Sequence, residues 1–185
     1  FRRESLLKSS LFSARIEGNR LTYDQVKNLS GTDDPKNIAK LEVFNLERAY
    51  RFLRFANTPK NLTLGLIRQL HALALKNLSP DLGRWRTEPW AVFDRAGTAV
   101  YLAPPARRVP QLMKELVVLS RNLDEPAPVK AALLQFLFEK IHPFADGNGR
   151  VGRLISSFVL QTGGYGFRGL VHTEKIVDRR RSEYY

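Results

Sequence analysis

The stretch His142-Pro143-Phe144-Ala145-Asp146-Gly147-Asn148-Gly149-Arg150-Val151-Gly152-Arg153 decides how the rest of the chain is read. It sets a base, a carboxylate, two glycines around an amide and two arginines between two apolar runs. Upstream lies Ala131-Ala132-Leu133-Leu134-Gln135-Phe136-Leu137-Phe138, and downstream Leu154-Ile155-Ser156-Ser157-Phe158-Val159-Leu160; each is long enough for a buried helix. A dense polar turn joining two core helices points to an anion site. Glycines at 147 and 149 permit positive φ and close approach of the backbone. Successive N–H groups then form a nest that runs into a helix N-terminus, where phosphate is favoured. Arg150 and Arg153 share one face of that helix and offer guanidinium forks to phosphate oxygens. Asp146 is a hard oxygen ligand, suited to a Mg²⁺ that keeps waters and bridges phosphates. His142, with an ordinary pKa of about 6.5, is largely neutral at pH 7 and able to take a proton. Singly, these residues read as a helix cap, a turn and a solvated arginine face. Together they describe phosphate-group transfer to a hydroxyl.

The same twelve residues resemble the signature of the Fic family, His-Pro-Phe-x-(Asp/Glu)-Gly-Asn-Gly-Arg-x-x-Arg, with every fixed position matched. The resemblance implies that His142 deprotonates a protein hydroxyl and that Asp146 holds Mg²⁺. It also implies that Gly147, Asn148, Gly149, Arg150 and Arg153 meet the phosphates of ATP, the co-substrate, with Phe144 as a core anchor. A second likeness lies near the start. Ser13-Ala14-Arg15-Ile16-Glu17-Gly18 is similar to the family's inhibitory motif, (Ser/Thr)-x-x-x-Glu-(Gly/Asn). It implies that Ser13, Glu17 and Gly18 end an inhibitory helix, with Glu17 paired to Arg153 and occupying donors that a γ-phosphate needs.

Between Ser79 and Pro105 the helical spacing lapses. Trp90-Ala91-Val92-Phe93 and Thr98-Ala99-Val100-Tyr101-Leu102 flank Asp94-Arg95-Ala96-Gly97, which reads as a hairpin with a glycine-bearing loop. An isolated two-stranded hairpin is marginal and needs helices beneath it. In the Fic resemblance this is the flap, and Ala91, Val92 and Phe93 would register a target by strand addition. The plain alternative is a structural cover. Trp85 and Trp90 are read as core cover.

Elsewhere the pattern is helical. Leu6, Leu7, Leu11, Phe12 and Ile16 predict a first helix stopped at Gly18-Asn19. Thr22 and Gln25 form a capping box opening a helix to Leu29, and Ser30 to Pro35 is a loop. A long helix through Leu41 to Phe55 carries Glu42 and Asn45, expected to serve internal hydrogen bonds, and Asn57-Thr58-Pro59 ends it. Thr63 caps the next, where His71 reads as a satisfied structural histidine. Val109 to Leu119 is amphipathic. Gln135 stands where the family commonly has histidine, a change read as packing around the site. Gly163-Gly164 stops the helix after the signature, and His172, read as a surface residue, precedes a last helix from Glu174. Tyr184 and Tyr185 resemble a tyrosine pair on the family's adenine side.

The 185 residues suit one domain, burying roughly 70% of their unfolded surface. With 43% hydrophobic and 26% charged residues the composition is that of a soluble globular protein, and no run approaches a bilayer span. Cysteine is absent, which excludes disulfides and thiolate metal sites and is compatible with cytoplasm. A net charge of +12 attracts polyanions. However, the cations are spread along the chain and no DNA-reading motif appears, so nucleic acid is not required. The chain starts at Phe1 and stops in a helical pattern, so it is expected to be part of something longer.

The expected architecture is mainly α, a Fic-type helical bundle with one β-hairpin flap. Residues 1–20 form the inhibitory helix and 21–185 the Fic domain, together one compact unit. The expected activity is protein adenylylation: AMP passes from ATP, with Mg²⁺, to a Ser, Thr or Tyr hydroxyl of a target protein, held off by Glu17. Removal of AMP at the same site, with Glu17 orienting water, is one alternative. A non-catalytic basic nucleic-acid-binding or regulatory module is another. Kinase-like transfer is disfavoured by the intact Gly-Asn-Gly. No membrane partner is expected, and homo-oligomerisation is left open.

Overall fold

A computed structural model describes residues 2–27, 37–55, 59–93, 96–166 and 172–184. The expected loop from Ser30 to Pro35, the break at Asn57-Thr58, the hairpin-tip residues Asp94 and Arg95, and Tyr185 lie outside the described residues. The helices are α1 (Arg2–Ile16), α2 (Tyr23–Lys27), α3 (Ile38–Phe55), α4 (Leu64–Ala74), α5 (Val109–Asn122), α6 (Ala127–Ile141), α7 (Asn148–Thr162), α8 (Thr173–Arg179) and α9 (Arg181–Tyr184). Strands β1 (Ala91–Phe93) and β2 (Ala99–Leu102) make one antiparallel hairpin. The mainly helical architecture with a single hairpin is therefore as the residue pattern requires. No helix among the described residues is long and apolar enough to cross a membrane.

The centre is the α6–α7 pair. Ala131, Leu134 and Phe138 of α6 meet Val151, Leu154, Ile155 and Phe158 of α7 in the buried core. Helix α4 adds Leu66, Ile67 and Leu70, and Thr63 caps it by accepting the Leu66 N–H at 3.0 Å. Thr22 and Gln25 make the expected reciprocal cap, Thr22 N–H to Gln25 Oε1 at 2.8 Å and Gln25 N–H to Thr22 Oγ1 at 3.4 Å.

Helix α1 is docked on α3, α7 and α8. Leu6, Leu7, Leu11, Ala14 and Ile16 are buried, each large side chain contributing about 1.5–3 kcal/mol. Glu174 of α8, itself buried, accepts from Tyr50 Oη at 2.7 Å and Ser9 Oγ at 3.1 Å. His172 is tied to α1 through its Nδ1, 3.0 Å from Ser9 Oγ. His172, read as a surface residue, is half-buried, and its contact 163 residues away in sequence cannot be inferred from local polarity. The expected final helix is also broken at Arg180, whose N–H reaches both Ile176 and Val177 carbonyls.

Candidate active site

Helix α6 ends at His142, which caps it in the left-handed region at φ 50°. That backbone state costs a β-carbon-bearing residue about 1–2 kcal/mol, so the surroundings must hold it. Arg86 does so. Its Nε donates to the His142 carbonyl at 2.7 Å, and its backbone N–H to the Pro143 carbonyl at 2.8 Å. The guanidinium also reaches the carbonyls of Glu88 at 2.8 Å, Pro104 at 2.6 Å and Ile141 at 3.4 Å. A buried cation thus sits at the negative end of the α6 dipole and stitches the turn to both ends of the hairpin.

The imidazole of His142 lies against Trp90, ring centroids 3.3 Å apart and planes inclined 20°. Burial pushes its pKa down to about 4, against a hydrogen bond to the Glu139 backbone that favours the charged form. The ring is therefore neutral at pH 7 and able to accept a proton.

Below it, Phe144 is fully buried and stacks on His71 at 3.8 Å. The Nδ1 of His71 accepts the Gly83 N–H at 2.9 Å, so its proton is on Nε2, which donates to the Asp146 carbonyl at 3.2 Å. Burial lowers the pKa of His71 and keeps it neutral, a structural role as its place on the helix face implied. The Asn148 side chain closes a clip on the Phe144 backbone, accepting its N–H at 2.9 Å and donating to its carbonyl at 2.8 Å. The side chain of Asn148 thus shapes the loop, while its backbone N–H lies in the opening turn of α7.

The two glycines serve different ends. Gly147 is left-handed at φ 78°, and a β-carbon there would sit 2.5 Å from Leu75 Cδ2. Gly149 is helical, contrary to the expectation of positive φ for both. Its β-carbon would meet Glu17 Oε1 at 2.5 Å and Arg153 Nη1 at 3.1 Å. The carboxylate of Glu17 therefore lies directly over the opening turn of α7, whose first N–H groups have no intrahelical acceptors.

Arg153 receives it. Nη2 donates to Glu17 Oε1 at 2.6 Å and to the Ser13 carbonyl at 3.1 Å, and Nε to Ser13 Oγ at 2.9 Å. Burial works against this cation and the Glu17 carboxylate overcomes it, raising the pKa. Gly18, at φ 98°, turns the chain away just beyond. Arg150 takes other partners: Asp146 Oδ2 at 2.8 Å and Glu42 Oε1 at 3.6 Å. The two arginines, both expected to meet nucleotide phosphates, thus hold different carboxylates, Arg150 that of Asp146 and Arg153 that of Glu17. Glu42 in turn accepts from Asn19 at 2.8 Å, fulfilling its expected internal role. Asn45 likewise donates to the Lys76 carbonyl at 2.7 Å.

Arg153 Nη1 and Arg150 Nε are buried without a hydrogen-bond partner among the described residues. Spare guanidinium donors beside a helix N-terminus fit an anionic ligand. Asp146, with 63% of its side chain exposed, fits a metal shared with phosphate oxygens and water. Among the described residues no three acidic or histidine side chains gather into a closed cage, which a Mg²⁺ of this kind does not need.

The hairpin pairs Ala91 with Leu102, Val92 with Tyr101 and Phe93 with Ala99, with an irregularity after Val92. Tyr101 Oη donates to the Lys140 carbonyl, fixing the hairpin to the last turn of α6. At the other end of the site Tyr184 Oη donates to Glu139 Oε1 at 3.0 Å and accepts from the Gln135 amide. Gln135 thus packs beside the site as expected, and Tyr184 is bound to α6.

Sequence reasoning missed Arg86, Trp90 and Asn19 as parts of this assembly. Arg86 and Trp90 lie in an aperiodic segment, and nothing local marks an arginine as buried or an indole as facing His142. Trp85, in contrast, packs on Phe144 at 4.9 Å and is core cover as read.

Several known proteins resemble this chain. A crystal structure of a Fic family protein from Desulfovibrio desulfuricans G20 is 31% identical, with a TM-score of 0.84 over all of this chain and 56% of its own. A Fic-domain-containing signalling protein from Bacteroides thetaiotaomicron is 28% identical, with a TM-score of 0.73 over 86% of this chain and 63% of its own. A probable protein adenylyltransferase of Aquifex aeolicus is 29% identical over 85% of this chain and 48% of its own. Protein adenylyltransferase Fic of Drosophila virilis is 28% identical over the full chain and 37% of its own. The chain thus spans about half or less of the length of these curated relatives. The family model for Fic/DOC matches residues 61–160, from the cap of α4 through most of the helix that follows the turn at His142. With turn, hairpin and helix pair all in the matched region, the chain belongs to the Fic/DOC family.

Proposed function

We propose that this chain transfers AMP from ATP to a side-chain hydroxyl of a target protein and is held off by Glu17. The observation that carries the reading is the carboxylate of Glu17 seated over Gly149 and paired with Arg153. A chain-borne anion rests where a helix N-terminus and a buried guanidinium receive phosphate. Matched relatives named protein adenylyltransferases support the reaction class.

In the reaction the acceptor oxygen attacks the α-phosphorus while its proton passes to the neutral imidazole of His142. The bond from the α-phosphorus to the bridging oxygen breaks and pyrophosphate leaves. The N–H groups of Asn148 and Gly149 and the guanidinium of Arg153 stabilise the developing phosphate charge. Asp146 would hold Mg²⁺, whose chemistry there is to neutralise phosphate oxygens. Arg150, paired to Asp146, keeps that carboxylate oriented. Strand β1 offers the target a backbone edge at Ala91 to Phe93, and the adenine side falls toward Tyr184.

Incubation of the Glu17→Gly chain with ATP labelled at the α-phosphate is the test. Protein-bound label is expected from α-labelled and not γ-labelled ATP, lost in Glu17→Gly/His142→Ala and after chelation of Mg²⁺. No label in Glu17→Gly, or label from the γ-phosphate, sinks the proposal. Removal of AMP is the second reading, favoured by the 29% exposure of the Glu17 side chain, which leaves it open to water. An adenylylated target that loses AMP to the parent chain but not to Glu17→Gly would support it.

A further inference from the structure

Trp90 has no part in the chemistry assigned above, yet it makes the closest ring contact to the base. Its backbone is fixed at the foot of the hairpin, where its carbonyl accepts the Ala103 N–H at 3.0 Å. Its indole covers one face of the His142 imidazole at 3.3 Å. The lone pair of an imidazole nitrogen lies in the ring plane, so stacking covers the face and leaves the edges open. A ring nitrogen left at such an edge can take a proton from an acceptor hydroxyl.

We propose that Trp90 is a positioning residue for the transfer: it holds the plane of the His142 imidazole and shields one face from water, leaving the ring edge to the acceptor hydroxyl. The inference rests on His142 being the base. Because Trp90 leads directly into β1, the strand that would align the target also carries the residue that orients the base. A hairpin displaced from its resting place would therefore disturb both at once.

The charged groups acting on the imidazole are Arg86 from the segment before the hairpin, Asp146 from the turn and Glu17 from beyond α1. Burial exceeds them all, and the indole is part of that burial. Losing it admits water to the ring face and lets the pKa rise from about 4 toward 6.5.

The experiment uses the Glu17→Gly chain carrying Trp90→Ala or Trp90→Phe. The His142 imidazole is titrated by NMR, and label transfer from α-labelled ATP is measured against pH. Trp90→Ala is expected to raise the His142 pKa by about one unit or more and to move the acid limb of the rate profile with it. Full return to 6.5 would leave roughly tenfold less neutral base at pH 5.5. Trp90→Phe, which retains a stacking ring, is expected to titrate near the unmodified Glu17→Gly chain. A Trp90→Ala chain whose His142 titrates unchanged, or a Trp90→Phe chain indistinguishable from Trp90→Ala, overturns the proposal. Should Trp90→Ala not fold, Trp90→Val replaces it with the same two outcomes. The titration needs no catalysis, so absence of labelling in every chain would count against the transferase reading while still deciding the role of Trp90.

Discussion

If the chain works as proposed, the pair between Glu17 and Arg153 sets a measurable competition between the chain's own carboxylate and a nucleotide. Arg153 is 3% exposed, so its charge is compensated almost wholly by protein. Breaking a fully buried ion pair by removing one partner costs about 3–5 kcal/mol. Here the Glu17 side chain is 29% exposed and two bonds from Arg153 to Ser13 survive. The expected cost of Glu17→Gln therefore falls to about 1–3 kcal/mol. For a chain of this size that is a fall in Tm of about 3–10 °C. Saturating ATP with Mg²⁺ should close the gap between the two chains. A ligand at a hundred times its Kd adds about 2.7 kcal/mol, and the variant receives all of it. The parent must first release Glu17, and its gain is smaller by the energy of the pair. Differential scanning calorimetry of both chains, with and without nucleotide, measures the four values. Equal melting of parent and variant without ATP, or equal gains with it, would refute the argument.

Three further outcomes follow from the turn. Gly147→Ala should lose about 2–4 kcal/mol in urea denaturation, from the left-handed backbone and the overlap with Leu75; an unchanged midpoint would contradict the observed φ. Arg86→Lys cannot reach its several carbonyls at once and should cost about 2–4 kcal/mol, with loss of labelling in the Glu17→Gly background, whereas full activity would remove Arg86 from its anchoring role. His142 and His71 both have pKa values lowered by burial. Below the unfolded value of about 6.5 the unfolded chain binds more protons, so their contribution to stability is full above that pH and declines as pH falls, for His142 down to about 4. His142→Asn, which keeps a residue tolerant of positive φ, should lose less stability than the parent between pH 7 and pH 5, and identical losses would argue against a buried neutral His142.

What the residues alone determined is what depends on nearest neighbours along the chain. The helices flanking the signature follow from apolar spacing, the caps at Thr22 and Thr63 from side chains that reach three residues ahead, and the hairpin from a lapse in helical period. The turn was legible because its base, carboxylate, glycines and arginines lie within twelve positions. Contacts over long separations needed the fold. The reach of Glu17 to Arg153 across 136 residues came from a likeness of motifs, and only packing of α1 on α7 brings the two to 2.6 Å. Arg86 gave no sign of being the cation under His142, nor Trp90 of covering its ring, nor Asn148 of turning back onto Phe144. Tertiary structure alone decided these, because a buried polar group takes whichever partner satisfies it, and which partner comes within hydrogen-bond reach is set by how the helices and hairpin dock.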